Sequence, residues 1–268
     1  MTINPVSGTI YQKLKKYLTL LFVGAIFLHI SVLSANAQGK NNLPFRPGEK
    51  LTYQGRWGAL SAGEATLEVL PMETLAGVKA YHFAMVRETK GIGDLLYKVR
   101  EREDSYVDAD LKHSLLYKKK TEGKHPRDVV INFNWEKREV SRANFGEKMK
   151  PISLAPGTFD NLALFYVLRL QNMKENSVIQ LPITEGDRTI VAQATVSKRE
   201  VIQIEGKKYD TFLVIPDIER LEAQDVVKKS DDPQLKIWFT ADDRKLPVKI
   251  QIRVSVIHLV LELESIEP

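Results

Sequence analysis

The sequence contains no cysteine, which excludes disulfide bonds, thiolate metal sites and a lipid attached to an N-terminal cysteine. Its five histidines are too far apart in sequence to suggest a shared metal ion, and no H-E-x-x-H segment occurs. The G-x-S-x-G pattern of a nucleophile elbow is also absent. We therefore identify no catalytic residue, no cofactor-binding residue and no metal ligand, and we expect a protein that is not an enzyme.

Neighbouring acidic residues do not supply a catalytic pair either. Asp231-Asp232 and Asp242-Asp243 are adjacent in sequence, and adjacent residues point to opposite faces of a strand or are solvated in a turn. A polymer hydrolase needs two facing carboxylates or an activated hydroxyl in a cleft. We expect no carboxylate with a shifted pKa in a concave site, so a hydrolase is a weak hypothesis for this protein.

The formal charge of the chain is low, and part of it lies at the N-terminus. The net charge is +5, and residues 1–37 contribute three lysines and no acid, which leaves +2 on the remainder. So small a charge argues against a dedicated nucleic-acid-binding protein. Hydrophobic residues at 43% and charged residues at 27% exclude an intrinsically disordered chain and a protein with many membrane spans.

Residues 1–37 have the pattern of a secretory signal peptide. Three lysines precede the segment from Tyr17 to Ser34, which carries no formal charge. Ala35 and Ala37 place small residues where a signal peptidase reads them, so Gln38 is the predicted new N-terminus. An uncleaved anchor helix is the alternative, although about 18 residues is near the lower limit for spanning a bilayer. Cleavage predicts a periplasmic protein whose mature form does not span the membrane.

The rest of the chain predicts a mainly β protein. After a linker at residues 38–44, residues 45–268 form one predicted domain in which apolar and polar residues alternate, as they do from Val129 to Trp135. Turn residues at 185–188, 205–208 and 241–245 separate alternating segments, which is typical of hairpins. The last segment changes phase near residues 255–258, which indicates a β-bulge or a tight reversal. These features predict antiparallel meanders that form a curved sheet, a sandwich or a partly open barrel.

Three segments interrupt this alternation. Residues 158–173 predict one buried helix, because they are apolar all round and Thr158 or Asp160 can cap them. A strand is the alternative for that segment, since its aromatic and β-branched residues also favour sheet. Gly91-Ile92-Gly93 is more typical of a hairpin connection than of a phosphate loop. Residues 217–232 mix charges of both signs and predict a solvated loop, with a functional lid as the alternative.

A curved sheet around an apolar helix can enclose a cavity for a lipid or an acyl chain. The predicted lining residues are aromatic, with a dry and filled core as the alternative. They are Trp57, Phe133, Trp135, Phe165, Tyr166 and Trp238. The basic residues around Lys118–Lys120 and Arg127 predict a solvated hairpin end, which could contact anionic lipid headgroups.

Several segments of the sequence resemble the domain of unknown function 3108 family. They occur in the family's order, and together they cover nearly all of residues 45–264. The segments are Phe45–Tyr53, Ala62–Ala65, Tyr97–Asp108, Asp160–Arg169 and Ile237–Val248. The resemblance implies export in a Gram-negative bacterium and transfers no catalytic residue, because the family's function is unassigned. The expected architecture is also similar to that of periplasmic lipoprotein carriers, in which a curved sheet holds acyl chains.

Three functions follow from these expectations. The first is a non-enzymatic periplasmic protein that binds a lipid or another hydrophobic envelope molecule. The second is a cell-envelope scaffold or assembly factor that acts through contacts with other envelope proteins, for which an exposed apolar patch or an unpaired strand edge would be the signature. The third and weakest is a hydrolase that acts on envelope polymers, because no facing pair of carboxylates is apparent in the sequence.

Overall fold

The computed structural model describes residues 43–123, 125–217, 235–254 and 257–268. The predicted signal peptide, its cleavage site at Ala35, Ala37 and Gln38, and most of the linker lie outside these residues. So does the predicted loop at 217–232, apart from Asp217. Among the described residues, no helix is long and apolar enough to cross a membrane.

In the part of the chain that the structure describes, fifteen strands form one antiparallel sheet, so the predicted mainly β fold is confirmed. The first meander comprises β1 (Lys50–Trp57), β2 (Leu60–Leu75), β3 (Val78–Thr89), β4 (Arg100–Asp108), β5 (Ser114–Glu122), β6 (Arg127–Asn134), β7 (Glu139–Asn144), β8 (Glu147–Lys148) and β9 (Ile152–Ser153). The second comprises β10 (Ser177–Thr184), β11 (Thr189–Ile204), β12 (Lys207–Pro216), β13 (Leu235–Thr240), β14 (Pro247–Val254) and β15 (Ile257–Glu267). The described residues also form two short helices, α1 (Ile92–Tyr97) and α2 (Ala163–Leu170).

The two meanders join where the last strand pairs with the first. β15 runs antiparallel to β1, from Lys50 opposite Glu267 to Trp57 opposite Leu259. The strand order therefore continues from β10 through β15 to β1 and on to β8, and neighbouring strands are antiparallel throughout. The predicted tight reversal before β15 is confirmed, because Val254 of β14 lies opposite Ile257 in the ladder.

The two ends of this curved sheet approach each other without forming a continuous ladder. The Arg142 Nη1 atom on β7 donates to the Glu185 backbone oxygen in the β10–β11 turn, at 3.1 Å. The Thr189 hydroxyl on β11 donates to the Ser153 backbone oxygen on β9, at 3.3 Å. A single parallel bridge between Phe159 and Ile183 also ties the connecting segment to β10. Of the predicted architectures, the structure corresponds to an open, barrel-like curved sheet.

Helix α2 is buried, as predicted, but it is shorter than the expected 158–173. Phe159 is in extended conformation, since its N–H donates to the Pro182 oxygen at 2.9 Å and its carbonyl accepts from Thr184. Asp160 then accepts the backbone N–H of Ala163 at 2.9 Å, which satisfies one of the free donors at the helix start. The strand alternative for this segment is therefore wrong for Ala163–Leu170, whereas Phe159 does contact the sheet edge.

The interior of the sheet packs around Tyr166 of α2. Its ring stacks on Phe83 of β3 at a centroid distance of 3.8 Å, and Phe45 contacts it edge-on at 5.3 Å. The Tyr166 hydroxyl donates to the Glu68 backbone oxygen at 3.0 Å. The Tyr53 hydroxyl donates to the Pro247 backbone oxygen at 2.7 Å, which ties β1 to the start of β14. Both hydroxyls therefore have acceptors in the core, as buried hydroxyls require.

The connection between β3 and β4 contains helix α1, and the predicted hairpin connection at Gly91–Gly93 is confirmed, because the two strands pair antiparallel on either side of it. Helix α1 covers part of β2, and Gly93 lies directly against the Ala62 backbone carbonyl. A Cβ atom at position 93 would be 1.9 Å from that oxygen. The second glycine of this segment therefore permits close packing of α1 on the sheet.

Candidate functional site

The curved sheet encloses a cavity of about 350 Å³ whose walls differ in chemistry. One wall is apolar and comes from β1, β2, β14, β15 and helix α2. It includes Tyr53, Leu67, Phe165, Ile250, Ile252 and Leu261. The other wall comes from β3 to β7 and carries charge. It includes Arg87, Glu103, Lys119, Arg127 and Arg142. The cavity is thus an amphipathic space inside the curved sheet, lined by strands of both meanders.

Strand alternation explains why charges face inward at one end of β3 to β6. Successive side chains point to opposite faces, so residues two apart share a face. On β3, the interior-facing series runs from the buried Phe83 through Met85 to Arg87. On β5 it runs from the buried Tyr117 to Lys119, and on β6 the residue two before the buried Val129 is Arg127. The same strands therefore build the apolar core at one end and the charged wall at the other.

The register aligns these polar residues into rows across the sheet. In one row, Arg87 lies opposite Glu101, Glu101 opposite Thr121, and Thr121 opposite Arg127. In the next row, Glu103 of β4 lies opposite Lys119 of β5. Directly opposite residues in a sheet have Cβ atoms about 5 Å apart, so their side chains can interact.

Two nearly buried carboxylates are neutralised within this wall. Arg87 pairs with Glu101, and its Nη2 atom lies 2.7 Å from the Glu103 Oε1 atom. The Lys119 Nζ atom lies 2.9 Å from Glu101 and 3.3 Å from Glu103. The Tyr117 hydroxyl donates to Glu103 at 2.8 Å. A buried carboxylate needs such partners because removing it from water is costly.

The positive charges of the wall exceed what these two carboxylates compensate. Burial lowers the pKa of Lys119, and nearby Glu103 opposes this shift while the cations of Arg87 and Arg127 add to it. Arg127 is exposed, so this end of the cavity reaches solvent. Arg142 has one distant acidic partner, with its Nη1 atom 3.9 Å from Asp187.

Asp160 lines the same cavity and is almost completely buried. Burial raises the pKa of this carboxyl, and the hydrogen bonds that it accepts oppose the shift. Its Oδ2 atom accepts the hydroxyls of Ser105 and Ser114, each at 2.6 Å. The expectation that no carboxylate in a concave site has a shifted pKa is therefore wrong. All of these partners are structural, since both serines are fully buried and the other oxygen caps α2.

The six aromatic residues that were predicted to line a cavity do not lie around one cavity in the structure. Phe165 alone of the six lines the large cavity, while Trp135 lines a second cavity of about 230 Å³ beside His113. Phe133, Tyr166 and Trp238 are buried, and the Trp238 indole donates to Glu200 at 2.9 Å. Trp57 lies at the end of β1 and is 36% exposed.

The sequence analysis did not predict the charged wall, although the alternation of inward-facing and outward-facing residues along the strands indicates it. Lys118 and Lys120 are exposed, in agreement with a solvated hairpin end. Lys119 instead shares the inward phase of Tyr117, and Arg127 shares the phase of Val129. Extending the apolar phase of each strand into its charged end would have identified both cavity residues. Among the described residues, no group of His, Asp and Glu side chains is placed to hold a metal ion.

Comparison with known proteins identifies the family. A family model described as a protein of unknown function, DUF3108, matches residues 52–264. The chain belongs to this family. The resemblance seen in the sequence is thereby confirmed for this DUF3108 protein. No curated protein matches the sequence.

A solved structure with a similar fold comes from another family of unknown function. It is the crystal structure of a beta-barrel-like protein of domain of unknown function DUF1849 from Brucella abortus. The TM-score is 0.52 at 12% sequence identity, and the match covers 82% of this chain and 97% of that chain. At this identity the likeness concerns the fold alone, and it agrees with the barrel-like curvature of the DUF3108 sheet.

Proposed function

We propose that this protein is a non-enzymatic periplasmic protein that binds a lipid or another hydrophobic molecule inside its curved sheet. The supporting observation is the cavity inside the curved sheet, with its apolar wall around Phe165 and Ile250. Its volume of about 350 Å³ is at the lower end of the range of small-molecule sites. Each methylene group moved from water onto the apolar wall contributes about 0.8 kcal/mol.

The charged wall argues against a simple dry core. A core that only stabilises the fold has no need of Arg87, Lys119 and Arg142 on inward-facing positions, since removing charges from water is costly. Charged residues beside an apolar wall instead suit a cavity that holds water or ligand. This reasoning supports a binding function over a filled interior.

Filling the cavity tests the binding function. Ala65 is a buried residue of the cavity lining on β2, and its neighbour Thr66 points to the opposite face. We expect Ala65→Phe to reduce the lipid recovered with the purified protein, as measured by native mass spectrometry and solvent extraction. Thr66→Phe is the matched control and should retain the lipid. If wild-type protein purified from its own envelope carries no lipid and binds none that is added, the binding function is wrong.

Export can be tested separately from binding. We expect the chain expressed in a Gram-negative host to accumulate in the periplasmic fraction with Gln38 as its first residue, as determined by intact mass. Ala37→Arg should block processing because signal peptidase requires a small residue there, whereas Asn36→Ala should be processed normally. A wild-type chain that keeps residues 1–37 would contradict the cleavage proposal.

A scaffold function is the second candidate, and the position of β10 at one end of the strand order favours it. Phe159 pairs with the end of this strand, at Pro182 and Thr184. Val178 on this strand is 54% exposed. Crosslinking from position 178 in the native envelope would capture a partner protein if the edge binds one. A scaffold would retain this crosslink in Ala65→Phe, so the two functions can be distinguished.

A further inference from the structure

We infer that the cavity binds an amphipathic anion, namely a molecule with a carboxylate or phosphate headgroup on a hydrocarbon chain. The inference rests on the proposed function and specifies the chemical class of the ligand. The headgroup would contact the charged wall on β3 to β7. The hydrocarbon chain would lie on the apolar wall formed by Ile250, Ile252, Leu261 and Phe165.

The charges of the wall leave two arginines for the headgroup. Glu101 and Glu103 are already paired with Arg87 and Lys119. No carboxylate of the described residues lies within ion-pair distance of Arg127. The Asp187 carboxylate near Arg142 is 3.9 Å away and 44% exposed, so water screens their attraction. Asp160 and Glu185 also line the cavity, but their carboxylates accept from the side chains of Ser105, Ser114 and Asn161 and not from these arginines. An anion at this wall would therefore meet two arginines that have no carboxylate of the described residues closer than 3.9 Å.

The chemistry of the arginine side chains in the wall leads to the same conclusion. Arg127 and Arg142 both line the cavity and each carries a guanidinium group. Carboxylate and phosphate oxygens are the acceptors that guanidinium groups bind best, often through two hydrogen bonds at once.

The crowding of cations also favours an anionic ligand. Lys119 lies in the row next to Arg87 and Arg127, and both neighbours lower its pKa beyond the effect of burial. A negative headgroup nearby would act in the opposite direction and stabilise the charged lysine. A neutral headgroup would leave the repulsion among these cations unchanged.

Binding measurements with matched amphiphiles test this inference. The chain as purified from its expression host is titrated with oleate, oleoyl lysophosphatidic acid and monooleoylglycerol by calorimetry below their micelle concentrations. These probes share one hydrocarbon chain and differ in the headgroup. We expect both anions to bind at least about tenfold more tightly than the neutral glyceride, as one charge-assisted contact predicts. Their relative affinities distinguish a carboxylate from a phosphate headgroup.

Variants then locate the headgroup. We expect Arg127→Met to weaken oleate binding about tenfold and to leave monooleoylglycerol binding unchanged. Arg127→Met/Arg142→Met should reduce the affinity for both anions to that for the neutral glyceride. Arg46→Met removes an exposed arginine outside the cavity and should have no effect. Because Arg127 is exposed, its single variant should fold even if the double variant does not, and circular dichroism checks both.

The outcomes separate this inference from the proposed function. Equal affinity for all three amphiphiles, or no effect of Arg127→Met on oleate, would overturn the anionic headgroup and leave lipid binding intact. Competition by inorganic phosphate or acetate as strong as that by the amphiphiles would overturn the amphipathic class. If wild-type protein binds none of the three amphiphiles, this inference fails, and the proposed function fails with it only if the protein from its own envelope also carries no lipid.

Discussion

Arg169 brings a positive charge into the core, where its side chain is only 1% exposed. Its Nη1 atom lies 2.6 Å from the Glu49 carboxylate, and its Nε atom donates to the Arg244 backbone oxygen at 3.0 Å. Arg244 also donates to Glu49, at 3.0 Å. This cluster connects the segment before β1, the end of α2 and the β13–β14 turn. Three parts of the chain that are distant in sequence therefore depend on one buried ion pair.

Removing the acid of this pair should be costly. We expect Glu49→Gln to lower the free energy of unfolding by about 3 kcal/mol, because it leaves the Arg169 charge uncompensated in the core. Glu264 is exposed on β15, and Glu264→Gln should change stability by less than about 0.5 kcal/mol. Urea unfolding at neutral pH measures both. A similar loss in the two variants would show that the buried pair is not the cause.

His82 and Asp104 form a second charged cluster, on the outer face of the sheet. The two ring nitrogens of His82 lie 2.8 Å from Glu73 and 2.8 Å from Asp104. Arg102 donates to Asp104 at 2.7 and 2.9 Å. Burial opposes ionisation of Asp104, but the hydrogen bonds from His82 and Arg102 outweigh it and lower its pKa from 3.8 to about 2. The charged carboxylate is thus more stable in the folded chain than in the unfolded chain.

This cluster predicts a defined pH dependence. The folded-state pKa of Asp104 is depressed, so its contribution is complete above pH 3.8 and is lost as the pH falls through about 2. We expect Asp104→Asn to cost about 2 kcal/mol at about pH 6 and to have almost no effect near pH 2. Urea unfolding of both proteins across this range provides the test. A cost that does not change with pH would assign the effect to packing.

The hairpin between β2 and β3 contains a turn residue whose backbone conformation is unfavourable. Leu75 and Val78 are paired, so Ala76 and Gly77 form a two-residue turn. Both have positive φ, at 48° for Ala76 and 85° for Gly77. Such turns match the twist of a hairpin, and they favour asparagine followed by glycine. Alanine has no side-chain group that stabilises the left-handed conformation, so Ala76 is strained in its turn.

Relieving this strain should stabilise the protein. We expect Ala76→Asn to raise the free energy of unfolding by about 0.5–1 kcal/mol, because asparagine tolerates the left-handed region better than alanine. Ala59 is also exposed in a turn, but its φ is not positive, so Ala59→Asn is the control and should give no gain. Thermal unfolding of the variants measures the change. An equal gain at both positions would mean that turn conformation is not responsible.

At the scale of the whole molecule, the pairing of β15 with β1 makes one sheet of two meanders. The apolar wall of the cavity depends on β14 and β15, and the charged wall depends on β3 to β7. Helix α2 contacts both meanders, through Phe83 on one side and Arg244 on the other. Neither meander closes the interior by itself, so the two should unfold together.

Cooperative unfolding can be measured with one tryptophan in each meander. Trp135 follows β6 and Trp238 lies on β13, and the third tryptophan is Trp57. We expect the fluorescence of Trp57→Phe/Trp238→Phe and of Trp57→Phe/Trp135→Phe to change at the same urea concentration as the far-ultraviolet circular dichroism of the same variant. Separate transitions by the two methods would show that the meanders unfold independently.

Sequence patterns predicted the elements better than their assembly. Alternation and turn residues indicated the hairpins at 185–188, 205–208 and 241–245, because both signals depend on neighbouring residues. The helix was too long in the prediction because Phe159 fits a helix by composition. In the structure its backbone instead pairs with Pro182 and Thr184, which a local pattern does not reveal.

The amino-acid sequence by itself determined the mainly β class, the buried helix and the family of this protein. These properties follow from periodicity and motif order, which are local along the chain. The tertiary structure alone decided that β15 pairs with β1 and that Arg87, Lys119 and Arg127 share a wall with an apolar surface opposite. Strand register and sheet curvature bring these residues together from distant parts of the sequence. Local sequence patterns contain no information about such contacts, so only the complete fold determines them.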